Sequence, residues 1–247
     1  MSSNQYRRLS GHPTNRQKLA GRDSPRPSFA VDAQLTAGPD RLGWRWSKAS
    51  NDRDPQVWAN AVTDVTCPKL ILRRLADDTD ITVRLAVASS PVASAAILKH
   101  LADSSDASQR AAVAANPSCP PALLAHLAAD TYTQVVSAAA ANAGCPTKTL
   151  HGLMKRWYSQ DSDDSFARGG IDILCGLASN PRCPPDMFEQ LTASPLILVR
   201  WAVAGNPACP EVLLETLLSD SSLDIQKEAA ANPALPSHIL AMWQLAQ

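Results

Sequence analysis

From about residue 56 onward the chain alternates two kinds of apolar segment, each too short to be a helix that stands alone. One kind is rich in Ala and Val, as in residues 83–89, 109–115 and 199–205. The other carries leucines spaced as one helix face, as in Leu123, Leu124 and Leu127 or Leu213, Leu214 and Leu217. Between them stand polar breaks built on Asn and Pro, which end helices through backbone chemistry: proline disfavours helix for the residue before it, and Asn tolerates the left-handed conformation at a helix end. The pattern predicts pairs of short helices, with proline in the first turn of the second helix of each pair, where its missing N–H is harmless.

The pairs recur. Cys67, Cys119, Cys145, Cys183 and Cys209 are separated by 52, 26, 38 and 26 residues, so the period is 26 with one insertion of twelve. Ala93 and Leu235 complete the column, making seven units. Proline follows the column in six of them, with Ser94 the exception. Three positions earlier stand Asp64, Ser90, Asn116, Asn142, Asn180, Asn206 and Asn232. A fixed period of two-helix units is the signature of an all-α fold, an α-solenoid in which each unit contacts its neighbours. Small residues in the first helices, including Ala88, Ala114, Ala140 and Ala204, allow neighbouring units to approach closely.

The register divides the chain into repeats 1–4 over residues 56–154, an insertion over 155–171 and repeats 5–7 over 172–247. Residues 39–55 read as an N-terminal capping segment. Residues 1–38 are rich in Ser, Pro, Gly, Asn and Gln without apolar period, the composition of a disordered tail.

Composition supports helices over strands: 45% of residues are hydrophobic but only 5% aromatic. Lys plus Arg and Asp plus Glu number 23 each, which removes any overall electrostatic footprint for nucleic acid. The neutrality is an average. Residues 1–50 hold nine basic and three acidic groups, a net of +6, leaving −6 for the rest. The longest apolar run is interrupted by Arg200 and far shorter than a membrane span, and no signal-peptide core follows the Met, so the expectation is a soluble, cytoplasmic protein with no membrane partner.

Residues 199–217 read Val-Arg-x-Ala-Val-Ala-x-Asn-Pro-x-Cys-Pro followed by Leu-Leu-x-x-Leu. In this the chain resembles the leucine-rich repeat variant family, a bacterial, HEAT-like α-solenoid. The resemblance covers about residues 56–247, with a period longer than that family's usual unit and with Ala93-Ser94 and Leu235 departing from the Cys-Pro signature. It implies a superhelix used mostly as a binding surface, in which one helix of a pair can be of 3₁₀ type. Relatives can carry a cysteine-rich iron–sulfur module ahead of the repeats; this chain has no cysteine before Cys67, so no cluster is carried over.

Chemistry is sparse. Column cysteines lie one repeat apart, on the order of 10 Å, too far for a disulfide or a shared zinc, and Ala93 and Leu235 replace them. They read, with Cys175, as buried fillers, and no cofactor is expected. No catalytic triad order, phosphate loop or His-Glu-x-x-His motif occurs, which argues against an enzyme. His100 and His126 share the column seven positions beyond the cysteine, where Arg74 and Gln190 also stand, an exposed position from which stacked side chains can grip an extended partner. The insertion brings Trp157, Tyr158 and Phe166 together with Asp161, Asp163, Asp164 and Arg168. The aspartates lack the glycine and terminal glutamate of a calcium loop, and insertions in solenoids often lie on the working face. These nine residues are the candidate partner-binding set. The reading that follows is a non-enzymatic protein-interaction module or scaffold whose partner is another protein or peptide. The alternative is a HEAT-like nucleic-acid-binding or DNA-repair protein with Arg73, Arg74, Lys99 and Arg110 along one groove, against which residues 51–154 hold eight basic and nine acidic groups and residues 155–247 six and eleven.

Overall fold

In the computed structural model, residues 54–158 and 169–246 are described, and they form fourteen α-helices and no strand. The expected tail, nearly all of the capping segment and residues 159–168 of the insertion lie outside the described residues. Unit one pairs α1 (Pro55–Ala61) with α2 (Lys69–Leu75), unit two α3 (Ile81–Ser89) with α4 (Ala95–Ala102), and unit three α5 (Ala107–Ala115) with α6 (Pro121–Leu127). Unit four pairs α7 (Thr133–Ala141) with α8 (Thr147–Trp157), and unit five α9 (Ile171–Ser179) with α10 (Pro185–Thr192). Unit six pairs α11 (Ile197–Ala204) with α12 (Glu211–Leu217), and unit seven α13 (Leu223–Ala231) with α14 (Ser237–Leu245). The seven units follow the cysteine column, and both helices of every pair are α-helical rather than one being 3₁₀.

The link inside each unit differs from the expectation in two ways. The prolines after the column are not in the first helical turn. They are the residues just before it: Pro120 sits at φ −62° and ψ 143°, and its carbonyl accepts from Leu123 N–H at 2.9 Å and Leu124 N–H at 3.0 Å. The asparagines are not left-handed either. Asn116 is extended, at φ −67° and ψ 124°, because its side chain supplies the turn that a positive φ would otherwise supply: its Oδ1 accepts from Ser118 N–H, and its carbonyl accepts from Cys119 N–H.

The same asparagines join the units. Nδ2 of Asn142 donates to the carbonyl of Ala114 at 2.7 Å and to that of Asn116 at 2.8 Å, both in the preceding unit. Asn116, Asn180, Asn206 and Asn232 repeat the arrangement, and Ser90 begins it with a hydroxyl donated to Val62 O. Each side chain thus fills a buried gap between two helix ends and satisfies carbonyls that a helix C-terminus leaves without partners.

A second ladder runs nine positions before the cysteine column. Nη1 of Arg84, Arg110 and Arg200 each donates to the carbonyl six residues earlier, tying the loop that enters the first helix. Arg110 and Arg200 then reach forward one unit, each making two bonds to a single carboxylate, Asp130 and Asp220 respectively. These pairs are mostly buried, at 12% and 11% exposure for Arg110 and Asp130. Their hydrogen bonds hold both aspartates below the usual carboxylate range.

First helices pack against first helices along the whole row, and the small residues make that possible: Val83, Val87 and Ala88 in α3 are matched by Val113 and Ala114 in α5 and by Val135, Ala139 and Ala140 in α7, all fully buried. Leu72, Leu98, Leu124, Leu150, Phe188 and Leu214 occupy one buried second-helix column, as the spacing requires. The column cysteines are free and buried, which pushes their thiols up to about 11 for Cys119, Cys145 and Cys209 and about 12 for Cys67 and Cys183; Cys175 is only half-buried.

The insertion begins later than residue 155. Residues 155–157 continue α8, which runs eleven residues where most second helices run seven or eight. The chain returns through Gly169, at φ +85°, where a side chain would collide with Thr133. Beyond it, Gly176 lets α9 close on α7: a Cβ there would stand 2.6 Å from Ser137 O. The Ser137 hydroxyl donates to Asp172 O across the same contact.

Candidate functional site

Second helices are spaced more widely than first helices, because their leucines point inward between the rows and leave nothing to fill the space between neighbouring outer faces. Shallow grooves result. The groove between α2 and α4 has a volume of about 640 Å³ and an apolar floor of Leu70, Ala96 and Ile97 under Lys69, Arg73 and His100. The next, between α4 and α6, is about 580 Å³, with Ala96, Ala122 and Leu123 under Lys99 and His126. A third, of about 460 Å³ between α8 and α10, has Met154 and Met187 at its base and His151, Lys155 and Tyr158 around it.

The structure brings four of the nine candidate residues onto this one row of helices. His100 is exposed, with Nε2 2.7 Å from Asp77 of the preceding unit. His126 lines the adjoining groove, facing Lys99 and Asp103. Trp157 ends α8 half-buried; Arg156 lies 5.2 Å from its ring centre, and its Nε1 is buried with no hydrogen-bond partner among the described residues. Tyr158 donates its hydroxyl to Gln190 O at 2.8 Å, so it bridges the end of α8 to α10, and burial raises its pKa. Asp161, Asp163, Asp164, Phe166 and Arg168 lie outside the described residues.

Of the alternative basic set, Arg73 and Lys99 stand in these grooves and Arg74 is exposed on α2. Arg110 does not join them: it belongs to a first helix and is consumed by Asp130 and Ser104 O. The twenty-residue separation of Arg110 and Asp130 was visible in the sequence, but their pairing depends on how consecutive units stack.

Two features went unread. His151 has Nδ1 2.9 Å from Thr147 O and Nε2 3.1 Å from Asp186, acceptors on both nitrogens that favour the imidazolium and raise its pKa. On the other row, Ile197, Leu198 and Trp201 of α11 are 57%, 60% and 47% exposed and line a groove with Asp224, Ile225 and Glu228 of α13. The signal was an aromatic residue in a column otherwise held by Ala59, Leu85, Ala111, Ser137, Cys175 and Lys227. Among the described residues no three His, Cys, Asp or Glu side chains come together as a metal-binding group, and no helix is long and apolar enough to cross a membrane.

With the paired helices, the Asn-Pro-x-Cys link and the stacked register on the page, comparison with known families assigns the central units. Residues 83–144 match the model of the Leucine Rich Repeat Variant domain. That stretch runs from α3 to the turn ahead of Cys145, and the same Asn-Pro-x-Cys link recurs beyond it at Asn180–Cys183 and Asn206–Cys209 with the same hydrogen bonds. No curated protein and no solved structure matches the chain.

Proposed function

We propose that this protein is a non-enzymatic protein-interaction module, and that its working surface is the row of second helices. The observation that carries this reading is the set of open, apolar-floored grooves between second helices α2 and α4, α4 and α6, and α8 and α10, rimmed by exposed side chains. A repeating groove suits a repeating or extended partner, since each unit offers the same contact one step along. The histidines, Lys99, Lys155 and the Trp157–Tyr158 pair belong to this surface. The buried asparagines and the arginine clamps, by contrast, spend their polar groups on the ladders between units.

A photo-crosslinking residue placed in the native host at exposed Ala96 or Ala122, and as controls at exposed Ser108 or Gln134 on first helices, tests the assignment. The expected result is a protein adduct from positions 96 and 122 above the controls. Adducts confined to the first-helix positions, or to nucleic acid, would contradict it.

A further inference from the structure

Charge is segregated along the second helices in a way that whole-chain counting hides. The second helices α2, α4, α6 and α8 together carry seven Lys and Arg and no Asp or Glu; α10, α12 and α14 carry four acidic residues and no Lys or Arg. The column six positions beyond the cysteine records the reversal: Arg73 and Lys99 near one end, Ala125 and His151 in the middle, then Glu189, Glu215 and Ala241 toward the other.

Most acids of the first four units lie in caps and clamps, while Asp77 and Asp103, just beyond α2 and α4, line the grooves themselves. Asp54, Asp80 and Asp106 cap first helices. Asp130 is held by Arg110, and Asp77 lies against His100. The exposed Lys69, Arg73, Lys99, Lys148 and Lys155 form no ion pair among the described residues. Arg73 and Lys99 therefore stack one unit apart, about 10 Å, comparable to the screening length of about 8 Å at physiological salt. Their mutual repulsion is relieved by an anionic ligand.

Between these cations lie the apolar floors of Leu70, Ala96, Ile97 and Leu123. A phosphate backbone would neutralise the rims and leave the floors uncovered, and α2, α4 and α6 contain no Phe, Tyr or Trp on which a base could stack. An extended peptide meets both requirements. In the polyproline II conformation three residues advance about 9 Å, close to one unit, so the same side chain returns to the same groove every third residue.

We propose that units 1–4 bind an extended protein segment with an acidic side chain at about every third residue and apolar residues between, and that units 5–7 repel it. This rests on the second-helix face being the interaction surface, and it names the chemistry of the partner. The direct test is fluorescence anisotropy of a labelled peptide of four Glu-Pro-Leu triplets with the full chain, compared with the Lys-Pro-Leu peptide and with a short DNA duplex as competitor.

The full chain is expected to bind the Glu peptide and not the Lys peptide, with affinity falling as salt is raised. The double variant Arg73→Glu, Lys99→Glu, checked to melt as the parent does, is expected to weaken binding about tenfold or more. The double variant Glu189→Lys, Glu215→Lys is expected to bind the Glu peptide at least as tightly as the parent. Equal binding of the two peptides, indifference to reversal at Arg73 and Lys99, or preferential displacement by duplex DNA would overturn the proposal. If Ala96 and Ala122 crosslink a protein while the Glu peptide fails, the acidic chemistry is wrong and the face stands; if both fail, both readings fall.

Discussion

A buried carboxamide has two donor hydrogens and an acceptor oxygen, and Asn142 commits all of them to backbone groups: Ala114 O, Asn116 O and Gly144 N–H. Removing it takes a partner from each of those groups and leaves the buried side of the Ala114 carbonyl uncompensated. Asn142→Ala is therefore expected to cost about 3 kcal/mol or more, since a buried polar group left without a partner costs about 1–3 kcal/mol, and urea denaturation reads the loss directly. Leu124, fully buried, and His126, exposed two positions later, give a second contrast. Leu124→Ala is expected to cost about 2–5 kcal/mol through transfer and cavity terms and His126→Ala well under 1 kcal/mol; equal losses would contradict the register. The asparagine column and the leucine face were both legible in the sequence. The role of the asparagines was not, because their acceptors lie 26 and 28 residues earlier and exist only once two units have stacked.

Between elements, closeness of approach decides what is tolerated. Gly176 faces the α7 backbone, with Ser137 O 2.6 Å from where a Cβ would sit, whereas Gly152 in α8 has nothing within 4 Å. Gly176→Ala is expected to destabilise by driving α9 from α7. Gly152→Ala is expected to stabilise by up to about 1 kcal/mol, the helix-propensity difference, and the two melting temperatures should move in opposite directions. The Arg110–Asp130 and Arg200–Asp220 clamps between units carry a pH signature. Their aspartates titrate lower when folded, so the stability they confer is present above an unfolded carboxylate pKa of about 3.9 and is lost as pH falls through the lower folded values. Asp130→Asn should therefore be less stable than the parent at neutral pH, and the gap in urea midpoint should narrow below about pH 4. The helix pairs were legible because Pro and Asn interrupt them in register. The extension of α8 was not: counting by the column places the break at residue 155, while Thr147–Trp157 contains no proline and continues as helix.

For the array from Asp54 onward, nearest-neighbour stacking separates holding from binding. First helices, asparagines and arginine clamps use their polar groups on adjacent units, and second helices keep theirs outward. Whole-chain neutrality hides that division: most acids of the first units sit in caps and clamps, while seven Lys and Arg sit on the second helices of units 1–4. The alternation of apolar columns predicted which helices stack, but no column count reveals which charges the fold has already neutralised. The most direct measurement is a map of backbone NMR shifts in the full chain as the Glu-Pro-Leu peptide is added at low salt. Shifts concentrated on α2, α4, α6 and α8, around Arg73, Lys99 and Leu123, with α11 and α13 unmoved, are the predicted result. Shifts centred instead on Ile197, Leu198 and Trp201, or on the acidic helices α10 and α12, would contradict the account.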